Sequence, residues 1–239
     1  MQVCAAGSSE FEATDTMRHA FPNANRFRAR FERNRFVAVP GAIPASLITR
    51  WRQHAYRIKQ YARTVVRHEI GLDLAYRVVT GDDIQAHWPE LFAFYSDWSL
   101  LSWLKEIAGD DMIQTSSHVQ SGINLNILDS RKLVYRWHFD AVCYTAILYL
   151  TDVRPQDGGS LRVIPKCRQH VAPDLRTSKF CDIWPSAGTI VLMDGTRCYH
   201  RVTQLLRPAV RLSIPMVFPN GATSTRPIGL DRYLYHRTA

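Results

Sequence analysis

The sequence predicts a mainly β protein, an antiparallel barrel or sandwich with helices packed on its outside. Four short segments in the second half of the chain, 143–151, 159–164, 188–193 and 209–218, are rich in β-branched and aromatic residues. Gly, Pro, Asp and Asn lie between them, as expected of the turns that join short strands. Hydrophobic residues make up 46% of the 239 residues, which is enough for a substantial core. We therefore expect a single domain that spans residues 1–239.

The first half of the chain is expected to be mainly helical over residues 15–118, after a small, polar and disordered start at 1–14. An amphipathic helix is predicted from residue 43 to about residue 67, because its apolar residues fall on one stripe. The aromatic-rich segment 84–108 predicts one or two further helices. A tail at 219–239 follows the strand-rich half.

The remaining segments predict strands, a turn and a loop. Residues 36–39 and 72–80 are predicted strands, residues 81–83 form a turn, and residues 112–128 form two strands. Residues 165–187 carry three prolines and show no periodicity. A loop of this length in a compact domain is usually functional, so we expect it to cover the site as a lid.

The formal net charge is +9, and most of the positive side chains are arginines spread along the whole chain. We interpret this charge as a solvated surface, because no basic groove lined by aromatic residues is recognisable. No apolar run reaches the ~18–20 residues of a membrane helix, and the N-terminus lacks the features of a signal peptide. We expect a cytoplasmic monomer or homodimer that binds neither nucleic acid nor a membrane.

The five cysteines include no CxxC pair, and their odd number favours thiols over disulfides. Two of them, Cys143 and Cys198, lie close in sequence to the histidines and the aspartate described next. A structural zinc site of His, Cys and Asp is therefore an alternative, although such sites usually show tighter paired spacing.

Two histidines and one aspartate form the strongest motif of the chain. His138 and Asp140 are two residues apart, so on an extended strand both side chains leave from one face. His200 lies near a later strand, and neighbouring strands in the fold would bring it close to the pair. Two imidazoles and one carboxylate on one face of a metal leave the opposite face open, as in the non-haem Fe(II) oxygenases. The three residues therefore predict a metal site.

Arg211 and Ser213 share one face of a predicted strand, with Leu212 and Ile214 on the other. The inward face of such a barrel is mostly apolar, so an arginine there needs an anionic partner. Arginine pairs with a carboxylate through a planar fork of donors, and the serine hydroxyl adds another donor. The pattern predicts a site for a carboxylate-bearing co-substrate. Arg207 is the rival anchor, because the strand register is open.

In this order and spacing, these five residues resemble the 2-oxoglutarate/Fe(II)-dependent oxygenases of the double-stranded β-helix, or jelly-roll, fold. The segment 158–161 (GGSL) and the segment 200–202 (HRV) resemble the small amino-acid and natural-product hydroxylases of that family. Radical halogenases and phytanoyl-CoA-hydroxylase-like enzymes are their relatives. The resemblance covers roughly residues 119–218, which would form the jelly-roll core, with the N-terminal helices outside.

The resemblance implies a 2-oxoglutarate-dependent non-haem iron dioxygenase. Fe(II) would be bound by His138, Asp140 and His200, with 2-oxoglutarate and O2 as co-substrates. Arg211 and Ser213 would bind the far carboxylate of 2-oxoglutarate. Two further residues are assigned to the co-substrate, Asn126 and Tyr135. Asparagines on the strand at 112–128 either point into the site or are satisfied within the barrel wall.

Asp140 bears on the reaction that the resemblance implies. In the halogenating relatives the carboxylate position is Gly or Ala, which opens a position for chloride, so Asp140 favours hydroxylation of an unactivated C–H bond. Desaturation, epoxidation and cyclisation use the same iron centre and remain alternatives. A nucleic-acid demethylase or a non-enzymatic cupin-like barrel is favoured less.

The substrate is expected to be a small molecule, because the single domain has no reader or adaptor module. A free amino acid or a natural-product intermediate with a carboxylate would suit the basic and aromatic residues near the predicted site. The candidate substrate residues are Asn124, Arg77, His118, Trp137, Arg168 and Arg176.

Overall fold

A computed structural model describes residues 20–67, 74–131 and 135–221. In these ranges no helix combines the length and the apolar character needed to cross a membrane. The described strands are β1 Phe36–Val39, β2 Arg63–Arg67, β3 Leu74–Val79, β4 Leu125–Leu128, β5 Tyr135–His138, β6 Tyr144–Tyr149, β7 Leu161–Ile164, β8 Cys181–Ile183, β9 Ile190–Asp194, β10 Tyr199–Val202 and β11 Arg211–Phe218. The described α-helices are α1 Asn25–Asn34, α2 Ala45–Ile58, α3 Gly81–His87, α4 Pro89–Tyr95, α5 Trp98–Ala108 and α6 Val119–Gly122.

The strands form two antiparallel sheets, as the sequence predicts. The larger sheet has the order β1-β9-β6-β11-β4-β3-β2, and the smaller sheet has the order β5-β10-β7-β8. One apolar cluster joins them, with Ile147 and Val191 from the larger sheet and Leu161 and Val163 from the smaller. Because this cluster holds the sheets face to face, the two sheets enclose an interior.

Strand β11 shows how the larger sheet separates two environments. Leu212 and Ile214 belong to a large apolar cluster that also contains residues of α2, α4 and α5. Side chains alternate across a strand, so Arg211 and Ser213 project from the opposite face, into the interior between the sheets. The helices therefore cover one face of the sheet, and the other face is left for the site.

The helix predicted to reach residue 67 ends earlier. Helix α2 ends at Ile58, a 3-10 turn follows at Lys59–Tyr61, and β2 then pairs with β3. The sequence of β2, RTVVR, is rich in β-branched residues, which favour a strand. Its pairing with β3 outweighs the amphipathic pattern. The N-terminal part is thus not only helical, because it adds β1, β2 and β3 to the larger sheet.

The turn predicted at residues 81–83 is wrong, because these residues begin α3. Asp82 and Asp83 lie in its first turn, where carboxylates interact favourably with the helix dipole. Gly81 lies so close to α6 that a Cβ atom would overlap the carbonyl oxygen of Val119. The aromatic segment 84–108 accordingly belongs to three helices, α3 to α5, rather than one or two.

Two further segments differ from the prediction. Residues 112–128 contain the single strand β4, preceded by the short helix α6, instead of two strands. Within the loop predicted at 165–187, β8 forms the edge of the smaller sheet. Asp182 of β8 accepts two hydrogen bonds from Arg162 of β7, each 2.8 Å long. A strand of three residues is too short to show periodicity, and a cross-strand ion pair determines its register.

Tyr95, at the end of α4, ties the helices to the larger sheet. Its hydroxyl donates a hydrogen bond to the carbonyl oxygen of Val217 and accepts one from the N–H of Ser116, each 2.7 Å long. The side chain is buried, and a Cβ atom at Gly122 would lie 3.0 Å from the hydroxyl. These contacts fix the end of β11 relative to the segment that leads into β4.

Replacing Tyr95 by Phe removes the hydroxyl and keeps the ring. We expect the free energy of unfolding to fall by about 1–3 kcal/mol, because the partly buried carbonyl of Val217 and N–H of Ser116 lose their partner. Urea denaturation followed by circular dichroism measures the change. Tyr56→Phe is the matched control, since Tyr56 is 47% exposed. Equal losses in the two variants would contradict the role given to Tyr95.

Candidate metal centre

Two of the three predicted metal ligands face each other across one strand pair. His138 ends β5, His200 lies in β10, and the two residues are directly opposite in the antiparallel register. Their ring centroids are 4.1 Å apart. Asp140 follows two residues after His138, and its N–H donates a 3.0 Å hydrogen bond to the carbonyl oxygen of Gly195. Strand pairing therefore overcomes the long sequence separation of the ligands.

The ligand atoms of the three residues converge. Oδ1 of Asp140 lies 3.6 Å from Nε2 of His138 and 3.6 Å from Nε2 of His200. The three ligand atoms lie within 4.8 Å of one another, and among the described residues no other His, Cys, Asp or Glu group converges in this way. The His200 side chain is 5% exposed, whereas those of His138 and Asp140 are each 20% exposed. The arrangement can hold a metal ion on one face and leave the other face open.

The second ring nitrogen of each histidine bonds to a backbone carbonyl two residues earlier in the chain. Nδ1 of His138 donates to the carbonyl oxygen of Arg136 at 2.7 Å, and Nδ1 of His200 donates to that of Cys198 at 2.9 Å. Because a carbonyl oxygen only accepts, each Nδ1 carries the proton and each Nε2 lone pair faces the metal position. Burial and the nearby His200 lower the pKa of His138 well below its usual value. His138 is thus neutral at neutral pH, as a metal ligand must be.

Two residues hold the carboxylate of Asp140 in place. Its Oδ2 accepts a 2.6 Å hydrogen bond from Oγ1 of Thr145, which leaves Oδ1 to face the histidines. Gly195 lies against the same side chain, and a Cβ atom there would overlap the Asp140 carboxylate. The position next to Asp140 therefore requires glycine because of the close approach.

The cluster predicted to bind the co-substrate lies on the inner face of the larger sheet. Arg211 and Ser213 are 2% and 1% exposed, and Nη1 of Arg211 donates to Oγ of Ser213 at 2.8 Å. Ser213 is opposite Asn126 of β4 on one side and Tyr149 of β6 on the other, so three polar residues form one row. The guanidinium of Arg211 lies 5.1 Å from the centre of the Tyr149 ring.

This cluster contains buried donors that no described residue satisfies. Nε of Arg211 and the hydroxyl of Tyr149 are both buried and make no hydrogen bond within the described ranges. Burial raises the pKa of Tyr149, so its hydroxyl stays protonated. Burying an arginine without an anionic partner is costly, and Arg211 forms no ion pair within the described part of the chain. The donors therefore fit the carboxylate of a bound dicarboxylate such as 2-oxoglutarate.

Strand β6 connects the two clusters. Every second residue of β6 points to its inner face: Thr145, Ile147 and Tyr149. On that face Thr145 contacts Asp140, and Tyr149 contacts Arg211. Four residues of strand span about 13 Å. Ile147 lies between them in the apolar cluster that joins the sheets. The metal position and Arg211 thus lie at two ends of one interior with an apolar wall.

The two predicted asparagines lie on the side of β4 that faces the interior. Asn124 is 5% exposed, and its N–H donates to the carbonyl oxygen of Pro215. Asn126 is half-buried and opposite Ser213. The structure therefore brings both asparagines to the interior. The side chain of Tyr135, the other residue assigned to the co-substrate, lies outside the described part of the chain.

Two predicted substrate residues lie away from the interior. Arg77 is opposite Ile127, which packs towards the helices, and Arg77 forms an ion pair with Asp129 at 2.7 Å. Trp137 stacks on Tyr199. Tyr199 directly precedes the inward-facing His200 in β10, so Tyr199 and Trp137 lie on the outer face of the smaller sheet. A shift of one residue moves a side chain to the other face of a sheet, and a sequence pattern leaves that register open.

The remaining predicted substrate residues are exposed. His118 lies directly before α6, and its N–H donates to Oγ of Ser116. Arg168 and Arg176 lie in the loop at 165–180, where Arg176 forms an ion pair with Asp174 at 3.3 Å. The structure does not bring Arg176 to the interior.

The cysteines near the triad make contacts of their own. Sγ of Cys198 donates to the carbonyl oxygen of Arg35 at 3.2 Å, and Sγ of Cys143 donates to the side chain of Asn220 at 3.4 Å. Neither thiol belongs to the converging group. The zinc alternative therefore gains no support from the described residues.

Sequence reasoning gave no role in the site to three residues that build it: Thr145, Tyr149 and Gly195. A signal for the first two was present, because both fall on the inward-facing alternation of the predicted strand at 143–151. Gly195 stands in an Asp-Gly pair, which usually indicates only a turn. Its contact with Asp140 depends on the fold.

Comparison with known proteins identifies the family. A family model described as Halogenase D (HalD) matches residues 21–233. The chain belongs to the Halogenase D family. No curated protein matches this sequence.

Solved structures share the fold of this Halogenase D member at low sequence identity. SnoK, a non-heme alpha ketoglutarate dependent carbocyclase from nogalamycin biosynthesis, has a TM-score of 0.70 at 17% identity, covering 92% of this chain and 94% of its own. The epimerase SnoN, in complex with Fe3+, alpha ketoglutarate and nogalamycin RO, has a TM-score of 0.68 at 18% identity, and the match covers 90% of this chain and 91% of SnoN. HygX from Streptomyces hygroscopicus, with nickel, 2-oxoglutarate and hygromycin B bound, has a TM-score of 0.60 at 16% identity, and the match covers 82% of this chain and 87% of HygX.

These comparisons confirm the resemblance to the 2-oxoglutarate/Fe(II)-dependent oxygenases and the mainly β, double-stranded β-helix fold class. In fold, the chain is similar to solved structures of non-heme, alpha ketoglutarate dependent enzymes. The residues of this Halogenase D member fit both cofactors: three converging ligands suit a metal ion, and the buried donors beside Ser213 suit a carboxylate.

Replacing Thr145 by Val removes the hydrogen bond to Asp140 and preserves the shape of the side chain. We expect metal affinity to fall about 10–100-fold, because a partner that orients a ligand is lost. Anaerobic calorimetric titration with Fe(II) measures the change. Thr145→Ser keeps the hydroxyl and should bind metal almost as tightly as the unaltered chain. Equal affinity in the Val and Ser variants would show that Thr145 does not orient Asp140.

Proposed function

We propose that this chain is a 2-oxoglutarate- and O2-dependent Fe(II) oxygenase that hydroxylates an unactivated C–H bond of a small molecule. One observation carries the proposal: the converging His138, Asp140 and His200 share an interior with a buried arginine that has no anionic partner among the described residues. A metal site alone suits many reactions. A metal site together with an anchored dicarboxylate position suits this class.

In the proposed enzyme, His138, Asp140 and His200 hold Fe(II), which with 2-oxoglutarate and O2 supplies the oxidising chemistry. The chain itself positions and shields the reactants. The hydrogen bonds of both Nδ1 atoms keep each imidazole presented through Nε2. Thr145 keeps one oxygen of Asp140 turned towards the metal. The apolar wall around Ile147 excludes water from the reacting centre.

Arg211 is the proposed anchor for the far carboxylate of 2-oxoglutarate. Ser213 accepts a hydrogen bond from Nη1, which orients the guanidinium. Nε of Arg211 and the hydroxyl of Tyr149 are then the buried donors available to an anion. Arg207, the rival considered from the sequence, is exposed on the turn before β11. The burial of Arg211 therefore favours it over Arg207.

Asp140 favours hydroxylation over halogenation, although the family is described as Halogenase D. His138, Asp140 and His200 would together supply three protein ligands to the metal. A halide would have one position fewer available than at a site with only two protein ligands. Thr145 and Gly195 hold the carboxylate in place from two sides, so it cannot move aside for a halide.

The proposed substrate is an amino acid or a natural-product intermediate that carries a carboxylate. SnoK and SnoN come from nogalamycin biosynthesis, and the HygX structure holds hygromycin B. Arg168 supports a carboxylate, because its loop is tied to the turn beside the metal centre. The hydrogen bonds run from the N–H of Cys167 to the Arg197 carbonyl and from the N–H of His170 to the Thr196 carbonyl. We propose that residues 165–180 cover the site.

Arg211→Ala tests the co-substrate anchor. We expect the 2-oxoglutarate concentration for half-maximal turnover to rise about tenfold or more, because a charge-assisted pair contributes about 1.5–3 kcal/mol. Succinate release against 2-oxoglutarate concentration measures it. Arg207→Ala removes the same charge from an exposed turn and should change little. A large effect in Arg207→Ala alone would make the assignment of Arg211 wrong.

Mass spectrometry of the products tests the reaction. We expect a carboxylate-bearing small molecule to gain one oxygen atom, with Fe(II), 2-oxoglutarate and O2 present and one succinate formed per product. His138→Ala, which removes a metal ligand, should give neither product nor succinate. The same reaction run with added chloride should give no chlorinated product, because Asp140 occupies the third ligand position. Chlorination, or turnover of a methylated oligonucleotide alone, would refute the proposal.

A further inference from the structure

A cavity separate from the interior between the sheets lies on the outer face of the smaller sheet. Its volume is about 500 Å³, which is enough for a small molecule. Arg162 and Arg201 form part of its lining, whereas their strand neighbours Val163 and His200 face the interior. Because side chains alternate across a strand, the two arginines project away from the candidate metal centre. The cavity is therefore separate from the site described above.

The charges in this cavity form a row across three strands. Arg201 of β10 is directly opposite Arg162 of β7, and Arg162 is directly opposite Asp182 of β8. Asp182 accepts two hydrogen bonds from Arg162. In this row two lining arginines, Arg162 and Arg201, stand beside one aspartate, which leaves an excess of one positive charge. Like charges directly opposite each other destabilise a sheet, so an anion in the cavity would stabilise this one.

Aromatic rings support both guanidinium groups of the row. Arg162 lies 4.0 Å from the centre of the Phe180 ring, and Arg201 lies 5.2 Å from the centre of the Trp137 ring. A ring against the face of a guanidinium holds it in place and leaves its N–H edges available. The two arginines are thus oriented before any ligand binds.

Arg201 is the member of the row that lacks a partner for a buried donor. Its Nε is buried and makes no hydrogen bond with a residue of the described ranges. Burial, and then the charge of Arg162, lower the pKa of Arg201. The neighbouring carboxylate of Asp182 is already engaged by Arg162 at 2.8 Å. An oxyanion in the cavity would satisfy the Nε donor and offset the repulsion.

We propose that this cavity binds the phosphate group of a small phosphorylated molecule. A phosphate group supplies the negative charge that this row lacks and offers acceptors to both Arg201 and Arg162. The remaining cavity is bordered by Trp184 and Leu206, which suit an apolar or aromatic body. The proposal is independent of the proposed catalytic function, because the cavity and the metal centre lie on opposite faces of the smaller sheet.

Calorimetric titration with phenyl phosphate tests the proposal. The protein is first saturated with Ni(II) and 2-oxoglutarate, so that any anion site in the interior is filled. At constant ionic strength, we expect one phenyl phosphate to bind per chain, with inorganic phosphate binding more weakly. Trp184→Leu should reduce the affinity for phenyl phosphate more than that for inorganic phosphate, because only phenyl phosphate has a ring that contacts Trp184.

Arg201→Gln should weaken phenyl phosphate binding about tenfold or more. Arg30→Gln, the same change at an exposed residue of α1, should leave it unchanged. Arg201→Lys keeps the charge without the planar fork and should be intermediate, which keeps the test valid if the Gln variant misfolds. Equal losses in the Arg201 and Arg30 variants, absence of saturable binding, or binding that disappears only in Arg211→Ala would overturn the proposal.

Discussion

The antiparallel pairing of β5 with β10 is the contact on which the candidate metal centre depends. It places His138 directly opposite His200, and the Nδ1 atom of each ring bonds to a backbone carbonyl two residues earlier in the chain. The backbone of the strand pair thus sets both the position and the orientation of the imidazoles. A slip of one residue would turn one ring to the outer face. The irregular register between His200 and Val202 follows directly, as bulges often do beside functional sites.

The larger sheet divides its two faces between stability and the site. On β11, Leu212 and Ile214 pack in the cluster under the helices, while Arg211 and Ser213 face the interior. A buried guanidinium with an unsatisfied Nε destabilises the unliganded fold. The apolar burial on the other face of the same strand offsets that cost. The strand can therefore present a buried charge to a ligand without losing its place in the sheet.

Residue type and spacing were sufficient to predict the fold class and a group of three residues that converge in the structure. What failed depended on contacts that sequence periodicity does not contain. Residues 63–67 form a strand because β3 pairs with them, and Arg77 faces the helices because that pairing fixes its register. Trp137 projects outwards because the pairing of β5 with β10 fixes its register. The assignment of His138, Asp140 and His200 as metal ligands, and of Arg211 as anchor, stays a prediction, now supported by geometry.

Asp140 supports the chemistry that we propose for this chain, and two neighbouring residues fit this aspartate specifically. Thr145 gives its hydroxyl to Oδ2, and Gly195 leaves the space that the carboxylate fills. A chain with Gly at position 140 would leave the hydroxyl without this acceptor and would not need glycine at position 195. The three residues are therefore mutually consistent with a retained carboxylate. Because changing Asp140 alone would leave Thr145 and Gly195 without the group they fit, the proposed preference for hydroxylation rests on the surroundings of Asp140 as well as on Asp140 itself.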